Sequence, residues 1–180
     1  VPGVGEHCLM LDTPDEAREF HDRLINACLR THTQHEPVAV GQLTVGIVGA
    51  GATGVELAAE LHGTTRELSA YGLEKIDPDT HVKLVIVEAA DRILSALPPR
   101  LSAAVARRLD ELGVDVHLNE RVVEVHPKGF STASGKFIPS SMMVWSAGIK
   151  APDFLANLDG LETNRINQLV VRPTLQCSRD

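Results

Sequence analysis

The pattern of apolar and polar positions predicts an alternation of strands and helices. Two nearly continuous apolar runs, Leu43–Val48 and Val82–Val87, are typical of strands buried on both faces of a parallel sheet. Val114–Leu118 alternates as a third strand, and Met142–Ser146 is a further apolar strand. Helical spacing predicts a helix from Ala52 to about His62. A second helix is expected from Pro98 to Gly113, with an inner stripe of Leu101, Val105, Leu109 and Leu112.

Before the first strand, the chain is expected to form a loop-like lead-in over Val1–Leu11 and then a helix. Thr13 is the predicted N-cap and Pro14 the first helical residue, while Glu16 completes a capping box. Apolar spacing carries this helix to about Thr31.

Three short runs after the third strand predict an antiparallel meander: Arg121–His126, Phe130–Ala133 and Lys136–Ile138. One more strand is expected at Leu169–Val171. The order of elements predicts an α/β fold, a Rossmann-type parallel sheet with the three-stranded meander as its last crossover. We expect a lead-in and linking helix over residues 1–40, a nucleotide-binding domain over 41–150 and a C-terminal segment over 151–180.

Composition narrows the possible partners. The 180 residues carry a net charge of −7, which argues against nucleic acid or an anionic membrane surface as a partner of this segment. Three widely spaced cysteines without a Cys-x-x-Cys pair indicate neither a zinc site nor a disulfide framework, and favour a reducing, cytoplasmic compartment. His32 and His35 lie in a polar linker without a third ligand, so no metal site is predicted. The start at Val1, without Met, suggests an excised piece of a longer protein.

The candidate chemistry lies between the first strand and its helix, where Gly49-x-Gly51-x-x-Gly54 follows the strand directly. In such a turn the first glycine permits a tight bend, the second lets the backbone approach a pyrophosphate, and the third packs the helix against the sheet. The free N–H groups of the first helical turn then face the anion. A tight turn without a ligand is the alternative reading.

A dinucleotide site also needs a carboxylate at the end of the second strand, to bind the ribose hydroxyls of the adenosine half. Glu88 meets this need, although it lies 37 positions after Gly51 instead of the usual 20 or so, and an ordinary solvated strand end is the alternative reading. A partly helical insertion over Gly63–His81 would account for the excess. Glu88 would repel a 2′-phosphate and so favours NADH over NADPH, and the nearby Arg92 would soften that preference.

Two further positions keep alternative readings. Glu56 is expected on the first turn of the helix, where a carboxylate could serve a ligand or simply stabilise the helix dipole. Ala147-Gly148 follows a strand at the edge where open α/β sheets bind ligands, or forms an ordinary tight turn.

Several motifs together resemble the FAD-dependent pyridine nucleotide-disulfide oxidoreductases, and among them the type II NADH dehydrogenases. The segments that carry this resemblance are Gly49–Glu56, Val87-Glu88 with Arg92-Ile-Leu94, Leu112-Gly-Val114, Val144–Gly148 and Leu169–Gln176. In that family an NADH domain is inserted between two halves of an FAD domain. The resemblance therefore implies a fragment, with FAD motifs expected before and after it and a membrane-binding region elsewhere in the parent protein.

The resemblance also implies residue roles. NAD(H) would be the cofactor of this domain, with Gly49, Gly51, Ala52, Thr53 and Gly54 around the pyrophosphate. Glu88 would bind the adenosine ribose and Val122 would border the adenine. Glu56, the candidate catalytic residue, would lie near the nicotinamide and flavin, and Ala147 and Gly148 near the nicotinamide.

The implied parent enzyme passes hydride from NADH to FAD and then electrons to quinone, as a peripheral protein on the cytoplasmic face of the inner membrane. Two alternatives remain open. One is a soluble flavoprotein reductase with a protein or disulfide as acceptor, and the other is an NADH-sensing module without catalysis.

Overall fold

The elements follow one another nearly in the order that the hydrophobic pattern predicts. The structure is a computed structural model that describes residues 1–39, 42–70, 72–148 and 151–179, with the backbone alone for 68–70. Its elements in chain order are the helices and strands α1 (Val4–His7), α2 (Pro14–Thr33), β1 (Leu43–Val48), α3 (Ala52–Ala70), β2 (Val82–Val87), α4 (Pro99–Glu111), β3 (Asp115–His117), β4 (Val122–His126), β5 (Gly129–Thr132), β6 (Phe137–Pro139) and β7 (Met142–Trp145), followed by a 3₁₀ helix (Asp153–Asn157).

The parallel sheet has the strand order β3-β2-β1-β7, and a separate antiparallel sheet has the order β4-β5-β6. In the parallel sheet β1 pairs along its whole length with β2, so that Val48 lies opposite Val87. The antiparallel sheet is the connection between β3 and β7. The predicted fold class, a Rossmann-type sheet with a three-stranded meander, is therefore confirmed.

Both faces of the parallel sheet are buried, as the unbroken apolar runs of β1 and β2 predict. Side chains such as Ile47 and Ile86 pack in a cluster that includes Leu24 from α2 and Ala58 from α3. Their neighbours along the strands point to the other face, where the cluster includes Phe130 from the meander. The result is three layers, with α2, α3 and α4 on one face of the parallel sheet and the antiparallel sheet, accompanied by the short α1, on the other.

The lead-in over Val1–Leu11 is more ordered than predicted, because Val4–His7 forms a helix. Beyond it, Leu9 forms a parallel bridge beside Val144 on β7, where its N–H donates to Met143 O and its carbonyl accepts from Trp145 N, at 3.0 and 2.9 Å. Helix α2 begins with the predicted capping box: Glu16 N–H donates to Thr13 Oγ1 at 3.2 Å and Thr13 N–H to Glu16 Oε2 at 2.9 Å.

Helix α3 does not end near His62 as predicted but continues to Ala70. The helix continues through the exposed Gly63, although a glycine in a helix interior costs about 1 kcal/mol relative to Ala. Thr65 is buried, and Arg66 forms an ion pair with Asp79 in the connector to β2. The excess residues before Glu88 are therefore a helix extension and its connector.

The inner stripe of α4 is shifted from the prediction. Leu109 is buried, but Leu101 is 43% exposed, while Ser102 beside it is only 3% exposed. The helix turns Ser102 inward because its hydroxyl bonds the loop after β2, donating to Leu94 O at 3.3 Å and accepting from Arg92 Nη1 at 2.8 Å. Hydrophobicity alone could not predict this polar contact.

The chain divides into two compact units, Val1–Ala147 and Gly148–Asp180. In the second unit the expected strand at Leu169–Val171 is absent from the described residues, which instead form isolated bridges from Thr163 to Leu169 and from Val171 to Cys177. The predicted boundary between residues 40 and 41 lies outside the described residues, and so does residue 150.

The capping box of α2 provides a test of the fold. Replacing Thr13 with Ala removes the acceptor for Glu16 N–H, so we expect the free energy of unfolding to fall by about 1 kcal/mol. Thr13→Ser is the matched control, because it keeps the hydroxyl and is expected to unfold within about 0.5 kcal/mol of the original chain. Urea titration followed by circular dichroism measures both, and equal stability of the two variants would contradict the cap.

Candidate nucleotide-binding site

The glycine turn has the tight, closely packed form that the sequence predicts. Gly49 has φ +107° and donates its N–H to Val87 O at 2.8 Å, so the turn continues the β1–β2 pairing by one bond. A Cβ on Gly49 would lie 2.9 Å from Ala147 N, and one on Gly54 would overlap the Gly49 carbonyl. Glycine at 49 and 54 is therefore required by the protein's own packing.

Gly51 is different, because a Cβ placed on it would meet no atom within 4 Å. Gly51, Ala52 and Thr53 are all exposed, and α3 begins at Ala52. The first N–H groups of a helix have no partner within the helix, and together with the helix dipole they bind anions. The open space at Gly51 and the exposed start of α3 thus form a backbone cradle where an anion could approach the first N–H groups of the helix.

Glu88 lies beside this cradle. The pairing of Val48 with Val87 brings the ends of β1 and β2 together, so the long sequence separation does not separate the residues in space. Ala50 N–H donates to Glu88 Oε2 at 2.6 Å, and Ala90 N–H donates to Oε1 at 2.8 Å. Each carboxylate oxygen accepts more than one hydrogen bond, so the half-buried side chain retains acceptor capacity for ribose hydroxyls.

Glu56 does not lie on the first turn of α3. The helix begins at Ala52, its first turn has no acidic residue, and Glu56 is the fifth helical residue. The expected place on the first turn is therefore wrong, and the alternative role in stabilising the helix dipole loses its support, since that effect falls off within the first turn. Glu56 is exposed, one turn below the cradle.

The end of β7 contacts the glycine turn through a residue that the sequence analysis missed. Ser146 N–H donates to Val48 O at 2.8 Å, and its hydroxyl donates to Val48 O at 3.0 Å and to Gly49 O at 3.1 Å. Ala147 follows and is half-buried. Serine directly after an apolar strand end was the available signal. Gly148 belongs to the second unit, where it is exposed with φ +88°.

Val122 is not brought to the open surface of the site. It is 5% exposed and packs in the apolar cluster of Val87, Val125 and Phe130 between the two sheets. Its side chain therefore contributes to the core that holds the end of β2.

Glu120 connects the end of the parallel sheet with the meander. Its N–H donates to Glu88 O at 2.9 Å, and its carboxylate accepts from Ser134 Oγ at 2.8 Å. Hydrogen bonds from Thr132 and Ser134 lower the pKa of Glu120 below its usual value. The contact is therefore present above the usual pKa of a glutamate and is lost as the pH falls through the lowered value.

The sequence also matches a known family over its whole length. The profile of the family described as pyridine nucleotide-disulphide oxidoreductase covers residues 1–180. The chain belongs to this family. The resemblance that the motifs indicate is thereby confirmed.

Individual relatives agree with the family assignment. A type II NADH:quinone oxidoreductase of Haemophilus influenzae is 40% identical over 99% of this chain, which covers 43% of that relative. A second relative is the mitochondrial external alternative NAD(P)H-ubiquinone oxidoreductase B3 of Arabidopsis thaliana. It is 33% identical over 83% of this chain, and the match covers 26% of that relative. The chain thus spans less than half the length of these curated relatives.

A solved structure shows the same fold. NDH2 of Plasmodium falciparum, in complex with NADH, superposes with a TM-score of 0.76 at 18% identity, over 86% of this chain and 33% of that one. In the described part of the present chain, no helix has the length and apolar character needed to span a membrane.

The contrast between Gly51 and Gly54 can be tested directly. Gly51→Ala adds a methyl group in open space, so we expect unfolding within about 0.5 kcal/mol of the original chain but at least about tenfold weaker NADH binding. Gly54→Ala is the matched variant and forces a clash with Gly49, which we expect to lower stability by about 1–3 kcal/mol. Urea unfolding and isothermal titration calorimetry separate the two effects. Unchanged NADH affinity in Gly51→Ala would show that the open space is not the pyrophosphate site.

Proposed function

We propose that this chain is the NADH-binding domain of a flavin-dependent NADH:quinone oxidoreductase. The observation that carries the proposal is the pairing of the open cradle at Gly51 with the Glu88 carboxylate, held together by the bond from Ala50 N–H at 2.6 Å. The cradle at Gly51 would bind the pyrophosphate and the Glu88 carboxylate would bind the ribose of the adenosine half. The two groups lie where a dinucleotide presents its pyrophosphate and ribose. Type II NADH:quinone oxidoreductases among the relatives support the choice of reaction.

The residues of this chain bind and orient the nucleotide. Gly49 and Gly54 hold the turn, while Gly51, Ala52 and Thr53 present backbone N–H groups to the pyrophosphate. Glu88 accepts hydrogen bonds from the ribose of the adenosine half. Glu56, Ala147 and Gly148 are proposed at the nicotinamide end.

The hydride chemistry belongs to the cofactors, NADH in this domain and FAD in the remainder of the parent protein. No side chain of this chain is required as an acid or a base for hydride transfer, so Glu56 serves to orient rather than to move a proton. Quinone is the proposed final acceptor. By its resemblance to type II NADH dehydrogenases, the parent protein is proposed to lie peripherally on the cytoplasmic face of the inner membrane.

Binding of NADH to the isolated chain is the first test. Because the flavin side of the site lies outside this chain, we expect binding that is weaker than in a complete enzyme, with a Kd between about 10 μM and 1 mM. Isothermal titration calorimetry with NADH measures it, and Gly51→Ala serves as the comparison variant, for which at least about tenfold weaker binding is expected. Absence of a binding heat at millimolar NADH would contradict the proposed domain function.

Glu88 should decide between NADH and NADPH. Glu88→Gln keeps an oxygen that can accept the Ala50 N–H and removes the charge that repels a 2′-phosphate. We therefore expect the NADH-over-NADPH preference to narrow by about 1.5–3 kcal/mol, the scale of a hydrogen bond to a charged group. Glu88→Ala removes the charge as well and leaves Ala50 N–H without its acceptor. We therefore expect it to weaken the binding of both nucleotides in addition to narrowing the preference. Calorimetry with both nucleotides gives the ratio, and an unchanged ratio in both variants would remove Glu88 from the site.

A catalytic test needs the parent protein. Purified with its flavin, it is expected to oxidise NADH with a soluble quinone analogue as acceptor, and Gly51→Ala should raise the KM for NADH. A parent protein that binds NADH but contains no flavin would favour the sensing module instead.

A further inference from the structure

Arg92 is the cation that follows Glu88 most closely in the sequence, but its side chain is bound elsewhere. The loop after β2 turns back on itself, and the guanidinium bonds its carbonyl groups and the first turn of α4. The donors are Nη1, to Leu97 O at 2.8 Å, Ser102 Oγ at 2.8 Å and Leu94 O at 3.5 Å, and Nη2, to Ser95 O at 2.5 Å. Both terminal nitrogens are therefore engaged with neutral oxygens of the protein.

The loop that Arg92 holds contains an unusual backbone conformation. Leu94 has φ +47°, which is uncommon for a residue other than glycine and carries a conformational cost. Its carbonyl accepts from Arg92 and from Ser102 Oγ, at 3.5 and 3.3 Å. Ser102 is 3% exposed, so this anchor lies in the interior. The side chains of Arg92 and Ser102 thus stabilise a conformation that Leu94 would otherwise rarely adopt.

This conformation has a consequence for the glycine turn. Leu94 N–H donates to Ala50 O at 2.8 Å, while Ala50 N–H donates to Glu88 Oε2 at 2.6 Å. Ala50 lies between Gly49 and Gly51, and both of its peptide groups are bound by the segment that follows β2. The position of the pyrophosphate cradle therefore depends on the shape of this loop.

We propose that Arg92 is a positioning residue for the nucleotide: its guanidinium shapes the loop after β2 so that Leu94 holds Ala50 and the glycine turn. It would then not act as a partner of a 2′-phosphate, contrary to the expectation that Arg92 softens the preference for NADH. The proposal rests on the proposed nucleotide-binding function. It makes Arg92 a contributor to the affinity for NADH and NADPH alike.

The planar guanidinium is suited to this role in a way that lysine is not. Its two terminal nitrogens reach separate acceptors on Ser95, Leu97 and Ser102 from one rigid fork. A lysine ammonium carries the same charge but is a point donor on a flexible stem. If Arg92 bound a 2′-phosphate, Arg92→Lys would retain much of the affinity for NADPH. If Arg92 holds the loop through several acceptors, Arg92→Lys would not preserve the loop.

The test compares Arg92→Gln and Arg92→Lys with Arg100→Gln, which removes the same charge from an exposed position on α4. Isothermal titration calorimetry gives Kd for NADH and NADPH, and amide hydrogen exchange by NMR gives the protection of Ala50 and Leu94 without nucleotide. We expect both Arg92 variants to lose protection at these two amides and to bind each nucleotide about tenfold more weakly, with an unchanged NADH:NADPH ratio. Arg100→Gln should match the original chain in every measurement.

The possible outcomes distinguish failure of the proposed role of Arg92 from failure of the proposed nucleotide-binding function. Selective loss of NADPH binding in Arg92→Gln, restored in Arg92→Lys, would identify a phosphate partner and overturn the proposal. Unchanged protection of Leu94 and Ala50 in Arg92→Gln would also overturn it. If the original chain binds no nucleotide, the proposed function fails, while amide exchange still reports whether Arg92 holds the loop.

A merely destabilised protein would give a different result, because a chain that remains almost fully folded binds its ligand at nearly full strength. Urea unfolding of each variant checks this condition. Should Arg92→Gln not fold, Ser102→Ala removes one anchor of the guanidinium and is expected to lower the protection of Leu94 severalfold. Unchanged protection in that variant would count against the proposal in the same way.

Discussion

A direct hydrogen bond joins the glycine turn to the Glu88 side chain: Ala50 N–H donates to the Glu88 carboxylate at 2.6 Å, across 38 positions of sequence. A hydrogen bond to a charged group contributes about 1.5–3 kcal/mol. It can form because β1 and β2 are parallel neighbours that end level with each other, at Val48 and Val87. The turn that would bind a pyrophosphate and the side chain that would bind a ribose therefore have one fixed relative position. A dinucleotide needs this, since its own phosphate and ribose are joined covalently.

The turn is fixed from several directions, mostly by backbone atoms. Gly49 N–H bonds the end of β2, Ser146 bonds the carbonyls of Val48 and Gly49, and Leu94 N–H bonds Ala50 O. A site built in this way presents its N–H groups to a ligand without first having to order side chains. The loss of conformational entropy on ordering these groups then occurs when the protein folds and not when the ligand binds. This raises the affinity for the ligand.

Much of this arrangement can be predicted from the sequence because the signals are local. The apolar runs of β1 and β2 show buried strands with correct ends, and Thr13 with Glu16 shows the start of α2. Gly49-x-Gly51-x-x-Gly54 and Glu88 are likewise recognisable, since each lies directly after a strand. These elements depend on local conformational propensity and on the periodicity of apolar residues. Both can be recognised from residues that are neighbours in the sequence.

The mistaken expectations concern contacts between a helix and the loop beside it. Gly63 indicates a helix end, but the ion pair of Arg66 with Asp79 and the burial of Thr65 accompany a longer helix. Leu101 fits the inner stripe of α4 by hydrophobicity, yet Ser102 turns inward because its hydroxyl meets Arg92 and Leu94. In both places a polar contact with residues outside the helix accompanies the difference, and the periodicity of apolar residues contains no information about such contacts.

The same limit applies to charge. An arginine four residues after a candidate ribose-binding glutamate suggests a side chain that binds a 2′-phosphate. The sequence shows only the type of the residue and its distance along the chain from Glu88. The direction of the side chain decides its role, and here the guanidinium bonds the carbonyls of Ser95 and Leu97 within its own loop. Engaging a 2′-phosphate would break these bonds and release the loop that supports Ala50. If the proposed function holds, the carboxylate of Glu88 would repel a 2′-phosphate, and the guanidinium of Arg92, bound within its own loop, would supply no cation to offset that repulsion.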